Sequence, residues 1–149
     1  MTMHPLDLRI ILLEKHAQHV VLIHFPIALF LSGVGIDFWA QWKKREELKA
    51  VAHINFFLAA IAAVPTVITG LIAWQWALEG QRLKGTLLLH LILGVMSAIF
   101  IWWVWAIHFR ARSQKKSELP RYRLIVEFVG VAIVSLAGHL GGILSGVSK

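Results

Sequence analysis

Six histidines within or beside long apolar segments are the residues of this chain with the most chemistry to offer. A neutral imidazole binds transition metals and haem iron through a ring nitrogen, whereas an imidazole in hydrocarbon without a partner is costly. The chain has no cysteine. This excludes thiolate ligation of iron–sulfur clusters or zinc and covalent haem attachment through C-x-x-C-H. The six are His19, His24, His53, His90, His108 and His139.

Four apolar segments must position these histidines. The chain has 149 residues, of which 58% are hydrophobic, and a mean hydropathy of +0.69, whereas soluble domains are about half apolar. Each segment is long enough to cross the hydrocarbon core, which takes roughly 20 helical residues. The sequence therefore predicts an all-α fold, an integral membrane four-helix bundle that forms one domain over residues 1–149. The predicted spans are residues 20–42, 51–78, 86–109 and 124–147.

The basic residues are unevenly distributed over the connections, which indicates a topology. Ten of the 15 lie between spans one and two or between spans three and four. The positive-inside rule then places both termini on the outer, periplasmic side of a bacterial inner membrane, as a multi-pass protein. We interpret the net charge of +7 as a topology signal and a source of lipid contacts, rather than as a sign of nucleic-acid binding.

The segment ahead of span one has a helical pattern of its own. Leu6, Ile10, Leu13 and Ala17 recur at helical spacing, with charged residues between them. This pattern predicts a short amphipathic interfacial helix over residues 5–16 on the outer surface.

The outer histidines can be grouped by their predicted depth within the spans. His24 and His90 each lie about one helical turn from the outer face, in spans one and three. Because their depths agree, they are the predicted ligand pair for the iron of a haem b. His139, in span four, could replace either ligand or hydrogen-bond a haem propionate. His19 could do the same at the rim.

A second group of polar residues lies toward the cytoplasmic ends of the spans. His53 and His108 would allow a second haem, or would be hydrated at the interface. Asp37 and Glu127 are acids within apolar segments, which are functional candidates by default. We expect an interfacial ion pair for them in preference to a functional role. Its basic partner is expected among Lys43, Arg45 and Arg123.

Small residues accompany the outer histidines. Gly94 follows His90 by one turn, and a small-xxx-small track of glycines runs beside His139. Such residues allow close packing of membrane helices, or they could make room for a flat macrocycle; both interpretations stay open. In span two, Pro65 predicts a kink whose freed carbonyl needs a hydroxyl or a neighbouring helix as its partner.

A resemblance to a known family begins at residues 19–27, which read HVVLIHFPI. The segment resembles the opening pattern His-Pro-x-x-Val-His-Phe-Pro-Ile of a bacterial family of small four-helix predicted membrane proteins of unknown function. His24 to Ile27 match directly, His19 takes the place of the first histidine, and Val20 replaces the proline. Further matches are Asp37, Thr69-Gly70, His90 and Gly141-Gly142. The resemblance implies association with electron-transfer proteins such as c-type cytochromes.

The leading hypothesis is a b-type haem-binding electron-transfer subunit of a larger redox complex. Its partners would be other membrane redox subunits, lipid, quinone and a c-type cytochrome on the outer side. The alternative is a non-redox structural or accessory subunit whose histidines contact other helices, lipid or quinone. A histidine-only copper or zinc site is a third option. The enzyme question stays open, with a non-catalytic role favoured, since no nucleophile–base arrangement accompanies the outer histidines.

Overall fold

The computed structural model describes residues 15–77, 82–114 and 119–145. Within these ranges the chain is helical apart from short links, and it has no strand. The prediction of an all-α four-helix bundle is thus confirmed. The four helices are α1 (Lys15–Lys43), α2 (Glu46–Ile72), α3 (Gly85–Ser113) and α4 (Tyr122–Leu144), and a π-helical turn (Ala73–Ala77) continues α2.

All four helices are long and apolar enough to cross a membrane. The outside of the bundle is covered by apolar side chains, for example Ile125 at 68% exposure and Phe25 at 57%. Such a surface would be unstable in water and is suited to lipid. The chain is therefore a multi-pass membrane protein.

The helices extend beyond the predicted spans where charged residues continue them outside the apolar part. α3, for instance, runs past residue 109 through Arg110 and Arg112, and basic side chains at a helix C-terminus favour its dipole. The interfacial helix predicted over residues 5–16 lies outside the described residues, except that residues 15 and 16 begin α1.

The helices form a ring in chain order, with α4 also contacting α1. The closest pair is α1 with α2, because small residues on α2 let the backbones approach. At the centre, the rings of Phe30 on α1 and Phe56 on α2 are fully buried, with centroids 5.9 Å apart. A Cβ on Gly33 would lie 2.8 Å from the Phe56 ring, so only glycine fits at that position without a shift.

A proline in α1 creates a second link to α2. Pro26 has no N–H, so the carbonyl of Leu22, four residues earlier, loses its helical donor. The Thr66 hydroxyl on α2 lies 3.3 Å from that carbonyl and 2.8 Å from the carbonyl of Ala62 in its own helix. The single hydroxyl proton of Thr66 is thus shared between Ala62, at the shorter distance, and a backbone carbonyl that α1 cannot satisfy. α2 itself runs through Pro65 without ending.

Gly33 and Gly35 offer a matched pair of substitutions on α1. We expect Gly33→Ala to destabilise the protein in detergent by about 1–3 kcal/mol, because the added methyl group would overpack a buried ring. Gly35→Ala should leave stability unchanged or raise it by up to about 1 kcal/mol, because nothing lies within 4 Å of its added Cβ. Thermal unfolding followed by circular dichroism measures both. Equal effects of the two substitutions would contradict the close approach of α1 and α2.

Candidate functional sites: a histidine cavity and a buried ionic cluster

A cavity opens between the helices at the end of the bundle where α1 begins and α2 ends. We call it the histidine cavity. Its volume is about 170 Å³, which is smaller than the about 300–1,000 Å³ of typical small-molecule sites. All four helices line it, mainly with aliphatic side chains. Its polar lining includes His19, Thr66, His90 and Ser97.

His19 enters this cavity from α1 and is held by α2. Its Nδ1 donates to the Thr66 carbonyl at 3.1 Å, with the Thr69 hydroxyl at 3.4 Å. Gly70 makes the space for the ring, because a Cβ there would lie 2.9 Å from His19 Cε1. The Thr-x-x-Thr-Gly sequence of α2 therefore fixes the imidazole, and its Nε2 carries the lone pair when Nδ1 is the donor.

His90 enters from α3 and is held in the same way by α4. Its Nδ1 donates to the Ala137 carbonyl at 3.1 Å, which again leaves the lone pair on Nε2. Gly141 lies against the ring, where a Cβ would be 3.2 Å from His90 Cε1. The centroids of the His19 and His90 rings are 6.5 Å apart, with an interplanar angle of 74°. The structure thus brings together two oriented imidazoles from two helices.

The other two outer histidines do not line the cavity. His24 is exposed, and its Nδ1 donates to the Val20 carbonyl of its own helix at 2.7 Å. His139 is exposed on α4. The histidine that shares the cavity with His90 is therefore His19, which the sequence analysis placed at the rim.

The π-helical turn at the end of α2 is a feature of this cavity that the sequence analysis missed. Ala73 and Trp74, its first two residues, line the cavity. Wide turns of this kind occur frequently at functional sites. The sequence AWQWA carries no signal that distinguishes it from an ordinary helix end.

A buried ionic cluster lies toward the opposite end, which carries the two basic loops. We define it as Asp37 of α1, His108 of α3, and Arg123 and Glu127 of α4. All four side chains are at most 5% exposed. Both Nε and Nη2 of Arg123 donate to Asp37 Oδ2, at 3.1 and 2.9 Å. His108 Nε2 lies 2.9 Å from Glu127 Oε1, which is 3.8 Å from Arg123 Nε.

Neighbouring side chains complete most of the cluster's bonding but not all of it. The Gln41 amide, oriented with its oxygen toward Arg123, accepts from Nη1 at 2.8 Å and also from Nη2. The Phe56 ring packs on His108 at 4.6 Å between centroids. Asp37 Oδ1 and Glu127 Oε2 are buried and have no hydrogen-bond partner among the described residues. Two carboxylate oxygens of the cluster thus remain available to a proton or a water molecule.

The expected ion pair of the intramembrane acids does form, and it is buried inside the bundle. Arg123 is the basic partner of Asp37, and both are buried in the bundle. The other two candidates are engaged elsewhere. Lys43 lies over the Trp42 ring at 4.4 Å, and Arg45 lies 3.7 Å from Glu47.

The sequence analysis did not predict the His108–Glu127 contact, although both residues fall near the same end of adjacent antiparallel spans. His53 has a buried Nδ1 with no partner in the described part of the chain.

These features define a small helical membrane protein with two polar centres, one near each end. One family model matches residues 15–148, and its description is "Predicted membrane protein (DUF2231)". The chain belongs to this family, which confirms the family resemblance seen in the sequence. No curated protein and no solved structure matches the chain.

The buried ion pair should dominate stability at the basic end. We expect Arg123→Gln to cost about 3–5 kcal/mol, because it leaves a buried carboxylate without its cation. Arg121→Gln, two residues away and exposed, should change stability by no more than about 0.5 kcal/mol. Unfolding in detergent measures both. The double variant Asp37→Asn/Arg123→Gln should recover part of the loss, and an Arg123→Gln effect as small as that of Arg121→Gln would refute the buried pair.

Proposed function

We propose that this protein is a b-type haem-binding electron-transfer subunit of a larger membrane complex, in which His19 and His90 would hold the haem iron. The observation that carries the proposal is the pair of oriented imidazoles in one apolar cavity, 6.5 Å apart between ring centroids. They come from α1 and α3, so a ligand between them would be held by both halves of the bundle.

The separation of the two rings suits two imidazoles on one metal ion. Metal–imidazole nitrogen bonds of about 2 Å on either side of an ion place the two ring centroids roughly 6 Å apart. Metal-bound histidines almost always donate their other ring N–H to a carbonyl or a carboxylate, which fixes the tautomer. His19 and His90 each donate Nδ1–H to a backbone carbonyl of a neighbouring helix.

The chemistry of the cavity lining suits a flat apolar macrocycle with an acidic edge. The lining is mainly aliphatic, and Gly94 and Gly138 contribute no side-chain bulk. Leu83, which lines the cavity, lies between Arg82 and Lys84, and both of these are exposed. Haem propionates directed toward this end would therefore meet two cations. The positive-inside rule assigns this end to the periplasmic side of a bacterial inner membrane.

In this role the residues of the chain hold and insulate the cofactor. A bound haem supplies one-electron chemistry. Thr66 and the Ala137 carbonyl orient the ligand imidazoles, and the aliphatic lining excludes water from the cavity. Because His108 Nε2 contacts Glu127, the proposal includes one haem and not a second between His53 and His108. Natural partners are a quinol-oxidising membrane subunit and a c-type cytochrome on the outer side.

A structural subunit is the second candidate, and one observation favours it. The His19–Thr66 and His90–Ala137 hydrogen bonds each join two helices, and such bonds stabilise membrane bundles without a cofactor. A histidine-only copper or zinc site is less well supported. The cavity contains two imidazoles, whereas zinc sites use three or four protein ligands.

Reduced-minus-oxidised spectra of the protein, expressed with ample haem and purified in mild detergent, test the proposal. We expect a b-type α-band in the wild type. It should be lost in His19→Ala and in His90→Ala, because each removes one of the two imidazoles that would hold the iron. The exposed histidines provide matched controls, so His24→Ala and His139→Ala should keep the band.

Size-exclusion profiles and circular dichroism establish that each variant is folded. A colourless wild type would overturn the haem proposal and leave the structural role. A band that survives His19→Ala but is lost in His24→Ala would overturn the ligand assignment.

A further inference from the structure

We propose that the buried ionic cluster is a proton-binding site that takes up and releases one proton, shared between His108 and Glu127. This inference does not depend on haem. Along α3, the cavity residue Ser97 and the cluster residue His108 are eleven residues apart, or about 16 Å by helical rise. The two polar centres are therefore separate sites.

The charges of the cluster favour the binding of one proton. Asp37 and Glu127 contribute two negative charges when ionised, and Arg123 contributes one positive charge. With a neutral His108, the cluster would hold one uncompensated negative charge at a position with at most 5% exposure. Such a charge is strongly unfavourable in a bundle surrounded by hydrocarbon. One added proton, on His108 or on Glu127, makes the cluster neutral.

The geometry gives this proton a defined position. His108 Nε2 and Glu127 Oε1 are 2.9 Å apart, a distance at which a proton can belong to either group. Glu127 Oε2 and Asp37 Oδ1, which have no partner among the described residues, can each hold a proton or accept from a water molecule. Buried acid and histidine chains of this kind form proton relays in membrane proteins.

A divalent metal ion suits the cluster less well, although Asp37, His108 and Glu127 are close enough together to be considered as ligands. The Arg123 guanidinium contacts both carboxylates. It thus occupies the position of a cation between them, and a metal ion would have to displace it. A proton needs no such rearrangement.

Groups from every helix of the bundle face the shared proton. Asp37 and the neutral Gln41 approach from α1, and Arg123 lies on the same helix as Glu127. From α2, His53 is the titratable group, and it interacts electrostatically with His108 and with Arg112 of α3. The net charge next to the proton is thus set by the two carboxylates and Arg123, with His53 and Arg112 toward the basic end.

The experiment is a pH titration of the protein in lipid nanodiscs with two reporters. Histidine ¹⁵N NMR reports the imidazole of His108, and infrared difference spectra in H₂O and D₂O report buried carboxyl groups. We expect the His108 resonances and the buried carboxyl signal to change together, in a single step. The Glu127→Gln substitution should abolish that step, because the cluster is then neutral without the extra proton.

Two further variants make the test decisive. Asp37→Asn removes one negative charge from the other side of Arg123, so it should abolish the same step even if Glu127→Gln does not fold. Glu47→Gln changes an exposed acid and should leave the step intact. The proposal is overturned if neither reporter changes while the wild type stays folded, or if His108 titrates unaltered in Glu127→Gln and Asp37→Asn. Stoichiometric Zn²⁺ or Mg²⁺ binding that is lost in Glu127→Gln would overturn it in favour of a metal site.

Discussion

Polar groups inside a membrane bundle cannot form hydrogen bonds with water, so they must find partners within the protein. This constraint explains most of the specific contacts between the helices. The carbonyl freed by Pro26 is reached by the Thr66 hydroxyl of the next helix. The two cavity imidazoles donate to backbone carbonyls of neighbouring helices. At the other end, two acids, one arginine and one histidine satisfy each other, apart from two carboxylate oxygens. Close packing of alanine, glycine and phenylalanine residues fills the space between these polar contacts.

The helices, and the depth of each residue within them, could be predicted from the sequence because both depend on the length of the apolar segments. Four long apolar segments can only become spans, and residues equally far from a span end lie at similar depth. The rotation of each helix was harder to predict. The spans are apolar on almost every face, so they lack the amphipathic stripe that would identify the inner side.

The assignment of His19 and His24 shows the effect of that missing information. The predicted depths favoured His24 over His19 as the second ligand beside His90. Five residues along a helix correspond to a rotation of about 140°, so the two imidazoles cannot both face the interior. In the structure His19 faces the cavity and His24 is exposed. The signal that could have decided between them was in span two, where Thr66, Thr69 and Gly70 form a place for an imidazole at the depth of His19.

The Thr66 hydroxyl also has a consequence for the evolution of the family. The hydroxyl contacts the Leu22 carbonyl of α1. That carbonyl lacks a helical donor only because residue 26 is a proline. In a homologue with a residue other than proline at position 26, α1 would satisfy that carbonyl itself. Selection for a hydroxyl at position 66 would then rest on the Ala62 carbonyl alone. Positions 26 and 66 should therefore covary across the family, although they are forty residues apart in the chain.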